Sequence, residues 1–293
     1  MISVDSLEFS KLIGKIPIVD VRSPWEFQRG HISSATNIPL FNNEERAIVG
    51  KLYVQSGRTE AIGKGLEIVG PKLYPMTKEA MKVAAEKKLM VYCWRGGMRS
   101  EKMAWLFETA GIDCLVLKGG YKAYRQQLFE DFRSLGNLIV INGPTGCGKT
   151  EILNELGNRG EQVIDLEYLA RHRGSAFGAI GLESQPTSMQ FQNDVHDYLL
   201  RLNARDRIWL EGESVNIGKV YLPETLWKKM NNAIVINLKM PKELRVKRII
   251  REYGQFPKEI LSGAILKIQK RLGNDKAKKV LINIKSKRAI TFH

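Results

Sequence analysis

Short apolar runs alternate with longer stretches of helical spacing along the chain. The runs at 16–21 (IPIVDV), 89–93 (LMVYC) and 114–120 (CLVLKGG) have the length and composition of buried strands. Between the second and third, Met103, Leu106, Phe107 and Ala110 share one helical face, and Gly111 suits a C-terminal cap. Strand, helix, strand in that order predicts a parallel sheet with right-handed crossovers. The pattern restarts at 137–141 (NLIVI), which leads into a glycine loop and a helix, KTEILNELGNRG. Further strands are predicted at 161–166 (EQVIDL), 207–213 (RIWLEGE) and 232–240 (NAIVINLKM), and the seam falls in 131–136 (DFRSLG). No internal repeat links the halves. The chain reads as α/β throughout, with one domain over 1–132 and a different one over 137–293.

A chain of 293 residues holds two ordinary domains, and a hydrophobic fraction of 43% supplies a core for each. The net charge of +15 is unevenly spread: from Lys239 onward, 16 Lys and Arg face 4 Asp and Glu. A basic region unbalanced by acids predicts a polyanionic partner. Aromatics are few there, which favours phosphate contacts over base stacking. The three cysteines, Cys93, Cys114 and Cys147, have no paired spacing. They argue against a disulfide framework or zinc site and fit a reducing compartment. Without a signal-peptide pattern or an 18-residue apolar stretch, a cytoplasmic protein with no membrane partner is expected.

Two stretches carry chemistry. The first is CWRGGMRS, 93–100. Cys93 closes a predicted strand, where parallel α/β sheets place their sites. Gly96 and Gly97 permit the positive φ values of a tight curl, and consecutive N–H groups in such a curl form an anion cradle. Arg95, Arg99 and the N-terminus of a helix starting near Ser100 add positive potential. Together these favour the thiolate. Trp94, Arg95, Gly96, Gly97, Met98, Arg99 and Ser100 therefore form the candidate active-site loop around Cys93. The alternative is a buried cysteine before an ordinary turn, which is the reading given to Cys114.

The second stretch, GPTGCGKT at 143–150, matches G-x-x-x-x-G-K-[ST] directly after an apolar strand. Gly143, Pro144, Thr145, Gly146, Cys147 and Gly148 would cradle a diphosphate, with Lys149 on its terminal phosphate. Thr150 would ligate Mg²⁺ if a metal is bound, together with Glu211, the Walker-B-like acid that ends RIWLE. Glu213 is the alternate. Asp165 and Glu167 would reach the site from the end of the second strand, and Arg171, His172 and Arg173 add donors. Arg245, Arg248 and Arg251 stand about a turn apart, like the lid of small P-loop kinases or like a solvated helix face.

The stretches DVRSPWEFQRGHI (20–32) and NIP (37–39), with the loop from Cys93 to Ser100, resemble the rhodanese signature. That resemblance implies that Cys93 carries the chalcogen, here as S-selanylcysteine. It implies bracing roles for Asp20, Arg22 and Glu26, and His31 reads as structural. Over nearly the whole chain the sequence is similar to the tRNA 2-selenouridine synthase family. CWRGGMRS, LKGGYKAYR (117–125), NGPTGCGKT, DLEYLARHRGSAFG (165–178) and QPTSMQF (185–191) carry that similarity. It implies a rhodanese-like parallel-sheet domain followed by a P-loop NTPase-like α/β domain. The implied activity is that of a transferase on tRNA. Sulfur of wobble 2-thiouridine is replaced by selenium from selenophosphate, through an S-geranyl intermediate made from geranyl diphosphate. On that reading the P-loop holds the prenyl diphosphate rather than ATP, and no cofactor is permanently bound. A selenophosphate-producing enzyme is an implied partner beside tRNA. Family members usually run past KRLG (270–273) with a longer helical tail than the stretch ending KSKRAITFH here. The rival reading is a rhodanese-type sulfurtransferase coupled to a P-loop ATPase. A non-catalytic anion sensor is a further alternative, opposed by the intact Cys93 and Gly-Lys-Thr.

Overall fold

The computed structural model describes residues 1–203 and 205–285, so the end of the basic region, 286–293, lies outside the described residues. Contacts divide the chain into the units Met1–Asp131 and Phe132–His293. No helix among the described residues is long and apolar enough to cross a membrane.

The first unit is built on five parallel strands: β1 (Ile2–Val4), β2 (Ile18–Asp20), β3 (Ala35–Asn37), β4 (Lys88–Tyr92) and β5 (Asp113–Leu117). Their order is β1-β5-β4-β2-β3, with Val19 opposite Val91 on one side and Thr36 on the other. Leu89 to Tyr92 in central β4 are fully buried, as a parallel strand covered on both faces must be. Three of the five strands match apolar runs. β1 and β3 are three residues each and lie at the sheet edges, too short and too polar to register as patterns. The segment between β3 and β4 holds the helices Asn43–Gln55, Arg58–Val69 and Leu73–Val83, none of which was expected. The helix Met98–Thr109 begins two residues before Ser100 and buries Met103, Ala104 and Phe107. Gly111, at φ +82°, ends it as expected.

The second unit has a parallel sheet of β6 (Leu138–Asn142), β7 (Gln162–Ile164), β8 (Ile208–Glu211) and β11 (Ile234–Asn237), in the order β11-β6-β8-β7. A small antiparallel pair, β9 (Asn216–Ile217) and β10 (Val220–Tyr221), intervenes in sequence. β6 is internal to the sheet, so the loop that follows it leaves the sheet's C-terminal edge. The helices Lys242–Tyr253, Lys258–Lys267, Gln269–Leu272 and Asn274–Lys285 gather around a separate core that includes Tyr253, Leu261, Ile265, Ala277 and Ile284.

Candidate functional site

Cys93 follows β4 directly and is 3% exposed. Its Sγ accepts a hydrogen bond from Ser100 Oγ at 3.2 Å. Ser100 lies in the first turn of the helix Met98–Thr109, so the thiol sits beside that helix's N-terminus. The loop turns through Gly96 at φ +62°. Gly97 does not share this conformation. It is extended at φ −113°, because it serves as the N-cap of the helix and not as part of the curl. Among the described residues, the N–H groups of Arg95, Gly96 and Gly97 donate to no protein acceptor, which leaves them open to an anion.

A second glycine pair locks this loop. Gly119 and Gly120 after β5 have φ of +75° and +60°. Tyr121 N donates to Cys93 O at 2.8 Å and Lys122 N to Trp94 O at 3.0 Å. The KGGY stretch is thus the backing of the cysteine loop. Beneath it lies a buried ion pair: Arg22, 1% exposed, donates to Asp20 Oδ2 at 2.6 Å and to Gly30 O at 2.7 Å. Its guanidinium lies 4.0 Å from the centroid of Tyr121.

The expected positive charges divide. Arg95 is exposed. Arg99 is bound to Glu26 at 3.0 Å, so much of its charge is cancelled before it reaches the thiol. Burial pushes the Glu26 carboxyl up, but Arg99 and the Ser23 amide outweigh it and hold the carboxyl below its usual range. Met98 is 41% exposed at the rim. His31 stacks on Phe27 with centroids 3.7 Å apart, away from any chemistry.

The phosphate loop uses its glycines as the motif requires. Gly143, Gly146 and Gly148 have φ of +158°, +80° and +92°. The N–H groups of Thr145, Gly146, Gly148 and Lys149 donate to no acceptor among the described residues, which is the arrangement that binds a diphosphate at a helix N-terminus. Cys147 faces inward against the Cα of Gly143 and bonds through its amide to Pro144 O at 3.0 Å. Cys147 is therefore a packing residue.

Four carboxylates follow from two strand ends. Asp165 caps the helix Leu166–Ala170, accepting from Tyr168 N at 2.7 Å. Glu211, at the end of β8 and 2% exposed, accepts from Glu167 N at 2.6 Å through Oε1. Its Oε2 is buried without a partner. Burial, then the charge of Asp165, raises the Glu211 carboxyl well above its ordinary range. Glu167 and Glu213 hydrogen-bond to each other, which requires a shared proton. They meet over the bare Cα of Gly174, where a methyl group would lie 2.7 Å from an oxygen of each. Burial and then Glu213 push Glu167 up to about 8, while Lys149 opposes the shift. Burial also raises Glu213, again against Lys149. The alternate acid, Glu213, thus lies in the field of the loop lysine together with Glu167. Thr150 is exposed, and the described residues hold no group of three or more metal-ligating side chains. Glu211 commits one carboxylate oxygen to the Glu167 amide and leaves the other without a protein partner, so it and Thr150 are the residues that would hold Mg²⁺ if one is bound; no step is assigned to a metal.

Arg171 and Arg173 are committed elsewhere. Arg171 pairs with Glu183 at 3.1 Å, and Arg173 with Glu252 at 2.9 Å. His172 is 9% exposed, its Nδ1 has no partner, and burial lowers its pKa. Gln185 ties this segment together, donating to Ala170 O at 3.0 Å and Ile217 O at 2.9 Å. The helix Lys242–Tyr253 does approach the phosphate loop: Arg245 donates to Thr145 O at 3.4 Å, and Arg248 pairs with Glu151 at 3.1 Å beside Gly148. Arg251 is exposed. Sequence reasoning missed Gly174, Gly119 and Glu151, because each matters only through a partner distant in sequence.

Residues 136–290 match the family model for the tRNA 2-selenouridine synthase AAA domain, and 6–127 match the rhodanese-like domain. A tRNA 2-selenouridine synthase of Nitrosomonas europaea is 38% identical over 261 residues, which cover 86% of this chain and 67% of the relative. One from Nitrosomonas eutropha is 37% identical over 260 residues, covering 86% and 66%. The chain thus matches about two thirds of the length of these relatives. The solved N-terminal domain of a Clostridium difficile 630 protein is 37% identical, with a TM-score of 0.40, covering 43% of this chain and 98% of that one.

Proposed function

The chain belongs to the tRNA 2-selenouridine synthase family, and from that premise we propose that it exchanges sulfur for selenium at C2 of wobble 2-thiouridine in tRNA. In the first step the thiocarbonyl sulfur attacks C1 of geranyl diphosphate. The C–O bond breaks, pyrophosphate leaves, and the proton of N3 is lost. Lys149 and the open amides of Thr145, Gly146, Gly148 and Lys149 meet the charge that develops on the leaving group. In the second step selenophosphate supplies selenium at the oxidation level of selenide. Geranylthiol and, with one water, phosphate are the other products, so the exchange needs no oxidant. Cys93 stands at the donor site, where its thiol and the amides of Arg95, Gly96 and Gly97 position selenophosphate for direct transfer of selenide-level selenium to C2, with no S–Se bond formed on the cysteine.

The observation that supports this reading is the pairing within one chain of two anion-binding loops of different chemistry. One is built around a thiol and the other around a lysine. The experiment is mass spectrometry of nucleosides from thiolated tRNA incubated with the full chain. Geranyl diphosphate alone should yield the S-geranyl nucleoside, and both co-substrates should yield selenouridine. The sulfurtransferase–ATPase reading expects ATP dependence and no geranylated species.

A further inference from the structure

The cations near Cys93 fall into two sets. Arg22 and Arg99 are spent on Asp20 and Glu26. Arg95, Lys118 and Lys122 are exposed, and among the described residues none of their side chains has an acidic partner. The first set braces the loop, and the second is left to meet something outside the protein.

Backbone contacts hold the second set together. A methyl group on Gly96, next to Arg95, would lie 2.6 Å from the amide nitrogen of Gly119, next to Lys118. Lys122 N donates at 3.0 Å to the carbonyl of Trp94, the residue before Arg95. Lys118 N donates to Val4 O at 2.8 Å, which fixes it at the end of β5. The three cations therefore stand on the two locked loops that carry Cys93 and the open amides. Lys122 lies in the first turn of the helix Gly120–Ser134, which has no acid in that turn. A cation at that end of a helix opposes its dipole, so the fold gains nothing from this lysine, whereas an external anion would offset it.

Selenophosphate needs one anion site, and the amides of Arg95, Gly96 and Gly97 already supply it. Three further cations exceed that need. A nucleotide that brings C2 of its base to Cys93 brings the phosphates on its 5′ and 3′ sides as well. Single-stranded RNA loops can splay a base out in this way, and Lys and Arg contacts to phosphate set the register of a nucleic acid without reading its sequence.

We propose that Arg95, Lys118 and Lys122 hold the RNA phosphates that flank the reacting nucleotide, so that the first unit binds tRNA at the rim of its own cysteine loop. This rests on the reading of Cys93 as the site of selenium transfer and goes beyond it by placing the RNA backbone.

The test is filter binding of S-geranyl tRNA to the full chain across 50–200 mM salt, with steady-state selenation kinetics on the same proteins. The double variant Lys118→Ala/Lys122→Ala should weaken tRNA binding at least about fivefold at 100 mM salt. It should lower the slope of log affinity against log salt by about 1.4, at about 0.7 for each single-strand phosphate contact. KM for S-geranyl tRNA should rise with the loss of affinity, while KM for selenophosphate stays within about twofold. Lys118→Arg/Lys122→Arg keeps both charges and should bind tRNA within about twofold of wild type. Unchanged affinity and slope in the alanine variant overturn the rim. So does a rise confined to the selenophosphate KM, which would make these lysines part of the donor site. Equal losses in the alanine and arginine variants overturn it too, by showing that the effect is structural. Binding is read without turnover, so a wild-type protein that makes no selenouridine would overturn the proposed activity and not the rim.

Discussion

Gly96 and Gly120 meet backbone to backbone. A methyl group on Gly96 would lie 2.7 Å from the amide nitrogen of Gly120, and one on Gly120 would run into the amide of Gly96. Both have positive φ, +62° and +60°. Neither position admits a side chain, so the cysteine loop keeps its shape only while both remain glycine. Gly120→Ala should cost about 1–3 kcal/mol in stability and abolish selenouridine formation, while pyrophosphate binding persists. Thermal denaturation and calorimetry on the same sample check this; an active Gly120→Ala protein would show that the backing is not needed.

Asp20→Asn should be more severe for the fold. It leaves the Arg22 guanidinium buried beside an uncharged partner, at a cost of about 3–5 kcal/mol. Chemical denaturation measures it, and a loss below about 1 kcal/mol would contradict the bracing role.

The apolar runs, the glycine spacing and the Gly-Lys-Thr motif made three strands of the first sheet, the phosphate loop and the cysteine loop legible in sequence. Those features are local. The helices between β3 and β4 were not legible, because Tyr53, Val54, Leu66 and Tyr74 lie exposed among polar residues and blur any helical face. The pairing of Arg99 with Glu26, 73 positions apart, was equally hidden, and it changes which charges reach Cys93. At β8 the periodicity found Glu211 but could not show that its carboxylate bonds the Glu167 amide while Glu213 shares the field of Lys149.

The Glu167–Glu213 pair predicts a pH dependence. A carboxyl raised to about 8 in the folded chain binds a proton between its unfolded value, near 4.5, and 8. Over that window the native state holds more protons than the unfolded state, so stability falls as pH rises from about 5 to 8. Glu167→Gln keeps a neutral partner for Glu213 and should flatten this slope, raising Tm at pH 8 by roughly 2–4 °C. Parallel melting curves at pH 5.5 and 8 decide it; identical slopes for wild type and variant would contradict the shared proton.

Lys276, Lys278 and Lys279 are exposed on the helix Asn274–Lys285. If this basic face contacts tRNA phosphates, reversing all three to Glu should weaken binding at least about tenfold at 100 mM salt. It should also reduce the slope of log affinity against log salt by about two to three. Filter binding across 50–200 mM salt measures both, and an unchanged slope would place the RNA elsewhere.

The claim that prenyl transfer belongs to Lys149 and selenium delivery to Cys93 is tested most directly by nucleoside mass spectrometry on the two single variants. Lys149→Ala should form no S-geranyl nucleoside from thiolated tRNA, yet should convert pre-made S-geranyl tRNA to selenouridine. Cys93→Ala should accumulate the S-geranyl nucleoside and make no selenouridine, while Cys114→Ala and Cys147→Ala retain most activity. Full selenation by Cys93→Ala, or a wild-type protein that needs ATP and ignores geranyl diphosphate, would contradict the account.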